Sequence, residues 1–202
     1  MLFRSAWRPG PYTLTAALTY AHHSIDATRL SLFPAPSLSS YDANSFGGGL
    51  EISTRQPLLG GTMEPLAGLV YNALRTNGFT ETGPFLAIAG NGADVAALKG
   101  YAGARLWQTF DVGTIQVTPE LRGRVLYDML DDVRGFSASF IADPARVLFP
   151  VSGIQPNRLS ERLGAGVSIR FNPMWRASLN YDAELRGGDV GHFVSGTLRA
   201  NW

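Results

Sequence analysis

With 202 residues, the chain is long enough for one domain with a full core, and its length gives no strong reason to expect a second. Charged residues make up 16% of it, against about 25% in an average soluble domain, while glycine reaches 23 residues. A net charge of +1 with a single lysine, Lys99, argues against a nucleic-acid-binding surface, and the absence of cysteine excludes disulfides and thiolate metal sites.

The sequence contains no run of about 18 apolar residues, so a transmembrane helix is excluded by length. Strands that cross a membrane are not excluded. Residues 1–11 lack the apolar core of a signal peptide and include Arg4 and Arg8, so we expect any export signal to lie upstream. We therefore interpret the chain as a fragment or an excised domain.

Alternation of apolar and polar residues is the main pattern along the chain, and it predicts eight β-strands. Each segment spans roughly 9 to 13 residues, as a tilted transmembrane strand needs, whereas soluble strands cluster near about 5 to 6. A soluble β-sandwich also alternates and remains an alternative. In chain order the segments are Tyr12–Tyr20, Ser45–Arg55, Met63–Arg75, Leu98–Phe110, Ile115–Tyr127, Arg162–Phe171, Trp175–Arg186 and Val194–Trp202.

Short and long connections between these segments take turns, as in outer-membrane barrels with short periplasmic turns and longer outer loops. The short links are Leu58–Gly61, Asp111–Gly113 and Asn172–Pro173, and the long ones are Ser24–Asp42, Thr76–Ala96 and Asp128–Ser160. Only Gly187–Gly191 is a short link on the predicted outer side. The pattern favours an antiparallel up-and-down transmembrane barrel.

Two further features concern the ends of the strands. Within the last long link, Ser137–Ala142 and Arg146–Val151 are β-prone, and we expect a hairpin that folds over the barrel or its mouth.

Aromatic side chains are predicted to form a girdle at the periplasmic ends. They are Phe110, Phe171, Trp175 and Trp202.

If the apolar faces meet lipid, the opposite faces line a wet lumen in which charged residues of both signs converge. Because unpaired charges are costly there, we expect acid–arginine pairs across strands. Glycines on the same face make room for larger neighbours. The predicted lumen-facing set is Glu51, Glu64, Arg105, Glu120, Arg122, Arg124, Arg162, Arg170, Arg176, Asp182, Glu184 and Arg199, with Gly47, Gly49, Gly68, Gly103, Gly164 and Gly166.

Signals of catalysis or cofactor binding are weak. Gly47-Gly48-Gly49 lacks the lysine and helix pattern of a phosphate loop, and three histidines without acidic spacing make a poor metal site. No catalytic, cofactor-binding or metal-ligating residue is predicted. A minor alternative is a barrel hydrolase that uses His22, His192, Asp26 and Asp189. Pro119 counts against a closed barrel, because proline removes a ladder donor.

The order of several short motifs resembles the autotransporter β-domain, the C-terminal translocator of type V secretion, over about 190 residues. Each motif alone is weak, and the shared order and spacing carry the resemblance. They are Tyr41-Asp42-Ala43, Glu64-Pro65-Leu66-Ala67-Gly68-Leu69, Gly78-Phe79-Thr80-Glu81-Thr82-Gly83, Thr118-Pro119-Glu120-Leu121, Phe140, Val151-Ser152-Gly153, Leu163-Gly164-Ala165-Gly166, Tyr181-Asp182-Ala183-Glu184-Leu185 and His192.

The resemblance implies a twelve-stranded barrel in the outer membrane of a Gram-negative bacterium. About eight strands are counted here, so four strands, a plug helix and the passenger are expected to lie outside residues 1–202, a single domain. Trp202 stands where the family usually has phenylalanine, and Leu198, Ala200 and Trp202 are the implied assembly signal. The implied partners are outer-membrane lipid, the barrel-assembly machinery and the chain's own passenger, with no nucleic acid, small-molecule substrate or cofactor.

The implied function is therefore export and anchoring of an N-terminal passenger by a barrel that is not an enzyme. A channel or structural barrel without a passenger is the alternative.

Overall fold

A computed structural model describes residues 1–30, 35–83, 86–130, 135–153 and 157–201. Regular structure within these ranges consists of β-strands joined in antiparallel ladders. None of the described residues belongs to a helix that is long and apolar enough to cross a membrane.

Fifteen strands are described, and most of them belong to one large sheet. In chain order they are β1 (Leu2–Trp7), β2 (Tyr12–Arg29), β3 (Ser37–Thr54), β4 (Gln56–Leu58), β5 (Gly61–Thr76), β6 (Phe79–Thr80), β7 (Ile88–Gly90), β8 (Ala93–Trp107), β9 (Phe110–Val112), β10 (Ile115–Asp128), β11 (Gly135–Phe140), β12 (Phe149–Ser152), β13 (Leu159–Arg170), β14 (Trp175–Arg186) and β15 (Asp189–Ala200).

The large sheet is an up-and-down half-barrel with the strand order β1-β2-β3-β5-β8-β10-β13-β14-β15. The short strands β4 and β9 extend it beside β5 and β10. Each long strand pairs with the next long strand along the chain, which confirms the predicted antiparallel up-and-down architecture. Among the described residues, β1 and β15 have no strand on their outer edges.

The main order of the large sheet contains nine strands, one more than the eight that alternation predicts. Strand β1 pairs with β2 from Leu2↔Thr19 to Trp7↔Leu14. Its side chains do not separate into apolar and polar faces, since Leu2 and Arg4 share one face while Phe3 and Ser5 share the other. The backbone ladder, which side-chain periodicity does not report, makes this segment a strand.

Strands β2 and β3 are 18 residues long, so the predicted loop Ser24–Asp42 was wrong over most of its length. Their ladder continues through Ile25↔Tyr41 to Arg29↔Ser37, which leaves residues 30–36 as the connection. Backbone hydrogen bonds continue past the apolar part of both strands even though the side chains there become more polar.

Connections alternate between the two ends of the sheet in the predicted order. One end, called here the turn end, has the links at residues 8–11, 55–60, 108–114 and 171–174. The other, called the loop end, has those at 30–36, 77–92, 129–158 and the tight turn at Gly187 and Gly188. Both glycines of that turn have positive φ, which suits a two-residue hairpin connection.

Pro119 lies at a position where the sheet does not require a backbone N–H donor. The β8–β10 ladder ends at Glu120↔Trp107, and the β9–β10 ladder resumes in the same register at Val117↔Phe110. Pro119 therefore stands opposite the interruption between β8 and β9. Pro65 on β5 likewise stands opposite the interruption between β3 and β4. Proline in these central strands thus coincides with local breaks in pairing.

A second sheet of four short strands, β12-β11-β7-β6, is built from the two longest loop-end connections. The predicted hairpin is present, with β11 and β12 paired from Gly135↔Ser152 to Ala138↔Phe149. Strand β11 also pairs with β7. The ring of Phe79 on β6 lies 5.4 Å from Tyr41 and 5.7 Å from Phe136, so the small sheet packs against the loop end of β3.

Candidate functional site

The large sheet exposes its apolar face and shelters its polar face, which is the reverse of a soluble sheet. Leu121 and Leu179 are 60% and 56% exposed, whereas Glu64 is only 7% exposed. Along β3, Leu50 and Ile52 point to the exposed face, and Glu51 and Ser53 point to the sheltered face. Exposed hydrocarbon on this scale is unfavourable in water and favourable in a bilayer.

Side chains on the polar face meet across several strands because the sheet curves toward that face. Glu51 on β3 accepts a hydrogen bond of 3.0 Å from Arg105 on β8 and lies 3.7 Å from Arg124 on β10. Four consecutive strands in a flat sheet would span about 14 Å at the usual spacing. The polar face is therefore the inside of the half-barrel, and the apolar face is the outside.

A cluster of acids and arginines occupies the inside surface of β3, β5, β8 and β10. The buried Glu64 accepts a 2.6 Å hydrogen bond from Ser53 and lies 4.0 Å from both Arg55 and Arg105. Tyr101 donates a 3.0 Å hydrogen bond to Glu51, and the Arg124 guanidinium lies 5.3 Å from the Tyr101 ring.

A second cluster lies on β10, β13 and β14. Arg122 donates two hydrogen bonds of 2.8 Å to the two carboxylate oxygens of Asp182, in the bidentate geometry that makes such pairs strong. It also donates 3.1 Å hydrogen bonds to Glu120 and Asn180. The pair spans β13 directly over Gly164, which stands opposite both residues in the ladders.

Arg162 on β13 is hydrogen-bonded to Glu184 on β14, and the Arg162 guanidinium lies 5.9 Å from the Phe193 ring on β15. Arg186 lies 3.5 Å from Glu184 on the same strand. Nine of the twelve predicted polar residues thus have acid–arginine contacts on the inside face, namely Glu51, Glu64, Arg105, Glu120, Arg122, Arg124, Arg162, Asp182 and Glu184.

The three remaining predicted arginines lie together at the turn end. Arg170 donates a 3.2 Å hydrogen bond to Gln116. Arg176 stands opposite Arg170 in one ladder and opposite Arg199 in the next. All three are exposed, and among the described residues none is within ion-pair distance of an acid.

The predicted lumen-facing set left out several members of the polar face. Tyr101, Ser53 and Asn180 each contact a charged residue of the clusters, although their place on the inner face followed from the alternation. Even spacing along the strand could have identified them, since Tyr101 is two and four residues from Gly103 and Arg105 and therefore shares their face. Even spacing does not identify the contact partner, because the partners lie on other strands.

An ion pair at the loop end joins the two sheets, and nothing in the sequence pattern predicted it. Arg29 donates hydrogen bonds of 2.8 and 2.6 Å to Glu81, which also accepts the Ile88 amide at 2.9 Å. The Arg29 hydrogen bonds hold the pKa of Glu81 below its ordinary value, against the opposing effect of burial. Leu38 and Thr82 add a backbone bridge beside this pair.

Aromatic side chains on the outer face of the turn end include Phe110, Phe171 and Trp175, all more than two-fifths exposed. Trp7 and Tyr12, which were not predicted, are exposed at the same end. Trp202, the fourth predicted aromatic residue, lies outside the described residues.

The residues weighed for a hydrolase are not brought together. His22 on β2 contacts Asn44 at 3.0 Å and lies 3.8 Å from Asp42. His192 on β15 contacts the Tyr181 hydroxyl at 2.8 Å. Strands β2 and β15 are separated by six strands in the sheet order. Among the described residues, no group of three or more His, Cys, Asp or Glu side chains is arranged to hold a metal ion.

Comparison with known proteins agrees with this geometry. A family model described as the autotransporter beta-domain matches residues 4–182. The chain belongs to the autotransporter β-domain family. Its location is accordingly the outer membrane of a Gram-negative bacterium, and the translocator domains of this family are transport barrels.

Two relatives and one solved structure extend the comparison. "Outer membrane protein A" of Rickettsia rickettsii is 27% identical over 124 residues, which are 61% of this chain and 5% of that protein. The protein of the same name in Rickettsia conorii is also 27% identical over 124 residues, 61% of this chain and 6% of its own length. This autotransporter β-domain thus spans only about a twentieth of the length of these relatives.

The translocator domain of the autotransporter NalP from Neisseria meningitidis superimposes with a TM-score of 0.75 at 16% identity. The match covers 98% of this chain and 63% of the NalP domain. At that identity the likeness establishes the shared barrel fold.

Proposed function

We propose that this domain is the translocator of an autotransporter, which carries an N-terminal passenger across the outer membrane and anchors it there. One observation supports this most directly: ion-paired polar residues line the inside of a half-barrel whose outside exposes hydrocarbon. Such a barrel presents a wet surface to a polypeptide and an apolar surface to lipid.

The chemistry of the inner face suits passage of an extended polypeptide. The carboxylates of the two clusters are paired with arginines of this same domain, as in Arg122–Asp182 and Arg105–Glu51, so few charges of the clusters remain to hold a passing segment. Paired charges still bind water and keep the surface polar. The two paired clusters thus support sliding of a chain past them rather than tight binding to it.

The test is surface exposure of polypeptide N-terminal to this domain in the full-length protein. An epitope is placed upstream of Met1, and intact Gram-negative cells are treated with an external protease. Translocation predicts that the epitope is digested in intact cells. An epitope that stays in the periplasm, with the barrel folded in the outer membrane, would overturn the proposal in favour of a channel or structural barrel.

Assembly into the membrane is part of the same proposal. Leu198 and Ala200 lie on the outer face of β15, whose outer edge is unpaired among the described residues. Leu198 is 67% exposed. We propose that this face, with Trp202, is recognised by the barrel-assembly machinery.

A matched pair of variants on β15 tests this role. Leu198→Asp changes the outer face and Thr197→Asp changes the inner face one residue away. We expect the first to reduce the heat-modifiable folded form in cells and the second to retain it. Equal loss in both variants would refute recognition through the outer face.

We also propose that the domain has no catalytic role, because the charged residues of its two clusters are paired with one another, and His22 and His192 lie on strands that are far apart in the sheet. Purified, folded protein is expected to release no product from ester or peptide substrates. Hydrolysis that disappears in His22→Ala or His192→Ala would contradict this.

A further inference from the structure

The row of arginines at the turn end differs from the two acid–arginine clusters on the inner face. Arg170, Arg176 and Arg199 occupy directly opposed positions on β13, β14 and β15. Opposed residues in an antiparallel pair have their Cβ atoms about 5 Å apart, and like charges placed so are destabilising. Elsewhere on this face each arginine of the two clusters has an acid partner.

A neutral row isolates these arginines from the acids of the clusters. The next inner-facing positions along the strands are Thr118, Ser168, Ser178 and Thr197, all hydroxyl residues. Glu120 lies four residues beyond Gln116, about 13 Å at the usual rise per residue. Over that distance in water, the interaction between exposed charges is largely screened.

One carboxylate, that of Asp111, lies in the same cavity as two of these arginines and already accepts a hydrogen bond. Asp111 accepts a 3.0 Å hydrogen bond from Gln116, and Gln116 in turn accepts one of 3.2 Å from Arg170. These residues line a cavity of about 570 Å³ at the turn end, together with Asn172, Arg176 and Asn201. Amide and guanidinium groups that can donate hydrogen bonds therefore line this cavity.

We propose that the Arg170–Arg176–Arg199 row binds an acidic segment of polypeptide at the turn end of the barrel. Carboxylates are the complementary partners for three neighbouring guanidinium groups that have no acid within ion-pair distance among the described residues. The row lies on the inner, polar face, away from the exposed hydrocarbon that lipid would cover, and this favours a peptide over a lipid headgroup. The inference rests on the proposed translocator function, because it supplies a polypeptide at this mouth.

Binding of a defined peptide to the folded protein in zwitterionic detergent tests the proposal. The probe is a fluorescent (Glu-Gly)5 peptide, with (Gln-Gly)5 as its neutral counterpart, followed by anisotropy at low ionic strength. The test variant is R176Q/R199Q, which leaves the Arg170–Gln116 hydrogen bond in place. The matched control R75Q/R146Q removes two exposed charges at other positions, and R176K/R199K keeps the charge of the row.

We expect R176Q/R199Q to weaken binding of the acidic peptide by about tenfold, because two of the three guanidinium charges that face its carboxylates are removed. The control and lysine variants retain binding, and 0.5 M salt abolishes it. Equal binding by R176Q/R199Q and R75Q/R146Q would overturn the proposal. The proposal would also be overturned if R176Q/R199Q bound the acidic peptide normally and lost only its binding to phosphatidylglycerol vesicles. The row would then recognise lipid.

This assay does not depend on export. An epitope that reaches the cell surface while the peptide fails to bind would refute the arginine site alone. An epitope that stays in the periplasm while the peptide binds would refute translocation alone.

Discussion

Arg122 on β10 and Asp182 on β14 form a bidentate pair, with both hydrogen bonds at 2.8 Å, across the whole width of β13. The pair passes over Gly164, and a Cβ at that position would contact the Asp182 carboxylate and lie 2.7 Å from Arg122 Nε. A residue with no side chain thus allows two charged residues on non-adjacent strands to meet.

Gly164→Ala is expected to destabilise the domain by about 1 to 3 kcal/mol, because the added methyl group displaces one partner of the ion pair. Urea unfolding in lipid vesicles measures the free energy of unfolding. Gly123→Ala on the neighbouring strand is the control, since its nearest contact is the Leu163 side chain at an ordinary 3.5 Å. Equal effects of the two substitutions would contradict the role given to Gly164.

The Arg122–Asp182 pair itself is expected to have a coupling free energy of about 1 to 3 kcal/mol, as a partly sheltered, charge-assisted pair. A double-mutant cycle with Arg122→Gln and Asp182→Asn measures it by the same unfolding assay. Arg75 and Asp94, which lie 3.4 Å apart on the outer face and are mostly exposed, supply the comparison pair. That pair is expected to couple by less than about 1 kcal/mol.

Leu121→Arg is expected to reduce stability in vesicles by about 2 to 4 kcal/mol if its strand crosses the bilayer centre there. The physical reason is transfer of a guanidinium into hydrocarbon. Leu148→Arg is a matched control, because Leu148 is 58% exposed and lies in a loop-end connection. A negligible effect of Leu121→Arg would place water, not lipid, against the apolar face.

Docking of the small sheet is expected to depend on pH through Glu81. Its pKa is lowered in the folded protein by Arg29, so the stabilisation is complete above the ordinary carboxyl value of 4.5 and is lost as the pH falls through the lowered folded value. Hydrogen exchange at the Ile88 amide, which donates to Glu81, reports this change. Protection corrected for intrinsic rates should fall between pH 6 and pH 3.

Glu81→Gln is the control for that experiment, because the amide cannot titrate. Protection at Ile88 should then be lower at pH 6 and should no longer change between the two pH values. The Leu121 amide in the central ladder should stay protected throughout. Retained pH dependence in Glu81→Gln would rule out this carboxyl as the titrating group.

The alternation of side chains was enough to assign the two faces of each strand. It failed to predict strands in which the side chains do not alternate. Parity assigned Glu51, Arg122 and Asp182 to one face, because successive side chains of any strand point to opposite sides. It missed β1 and the outer halves of β2 and β3, where mixed side chains conceal a continuous backbone ladder. The role of Pro119 also required the ladder, since only pairing reveals the break opposite it.

By itself the sequence determined that this chain is an antiparallel barrel sheet with one apolar and one polar face, because alternation and connection length are local properties. Only the tertiary structure decided which charges meet and which do not. Curvature brings Glu51 to Arg105 and Arg124, and Arg122 over Gly164 to Asp182. Within the part of the chain that the structure describes, it leaves Arg170, Arg176 and Arg199 without an acid. Those contacts depend on register and curvature, which are set by the whole sheet.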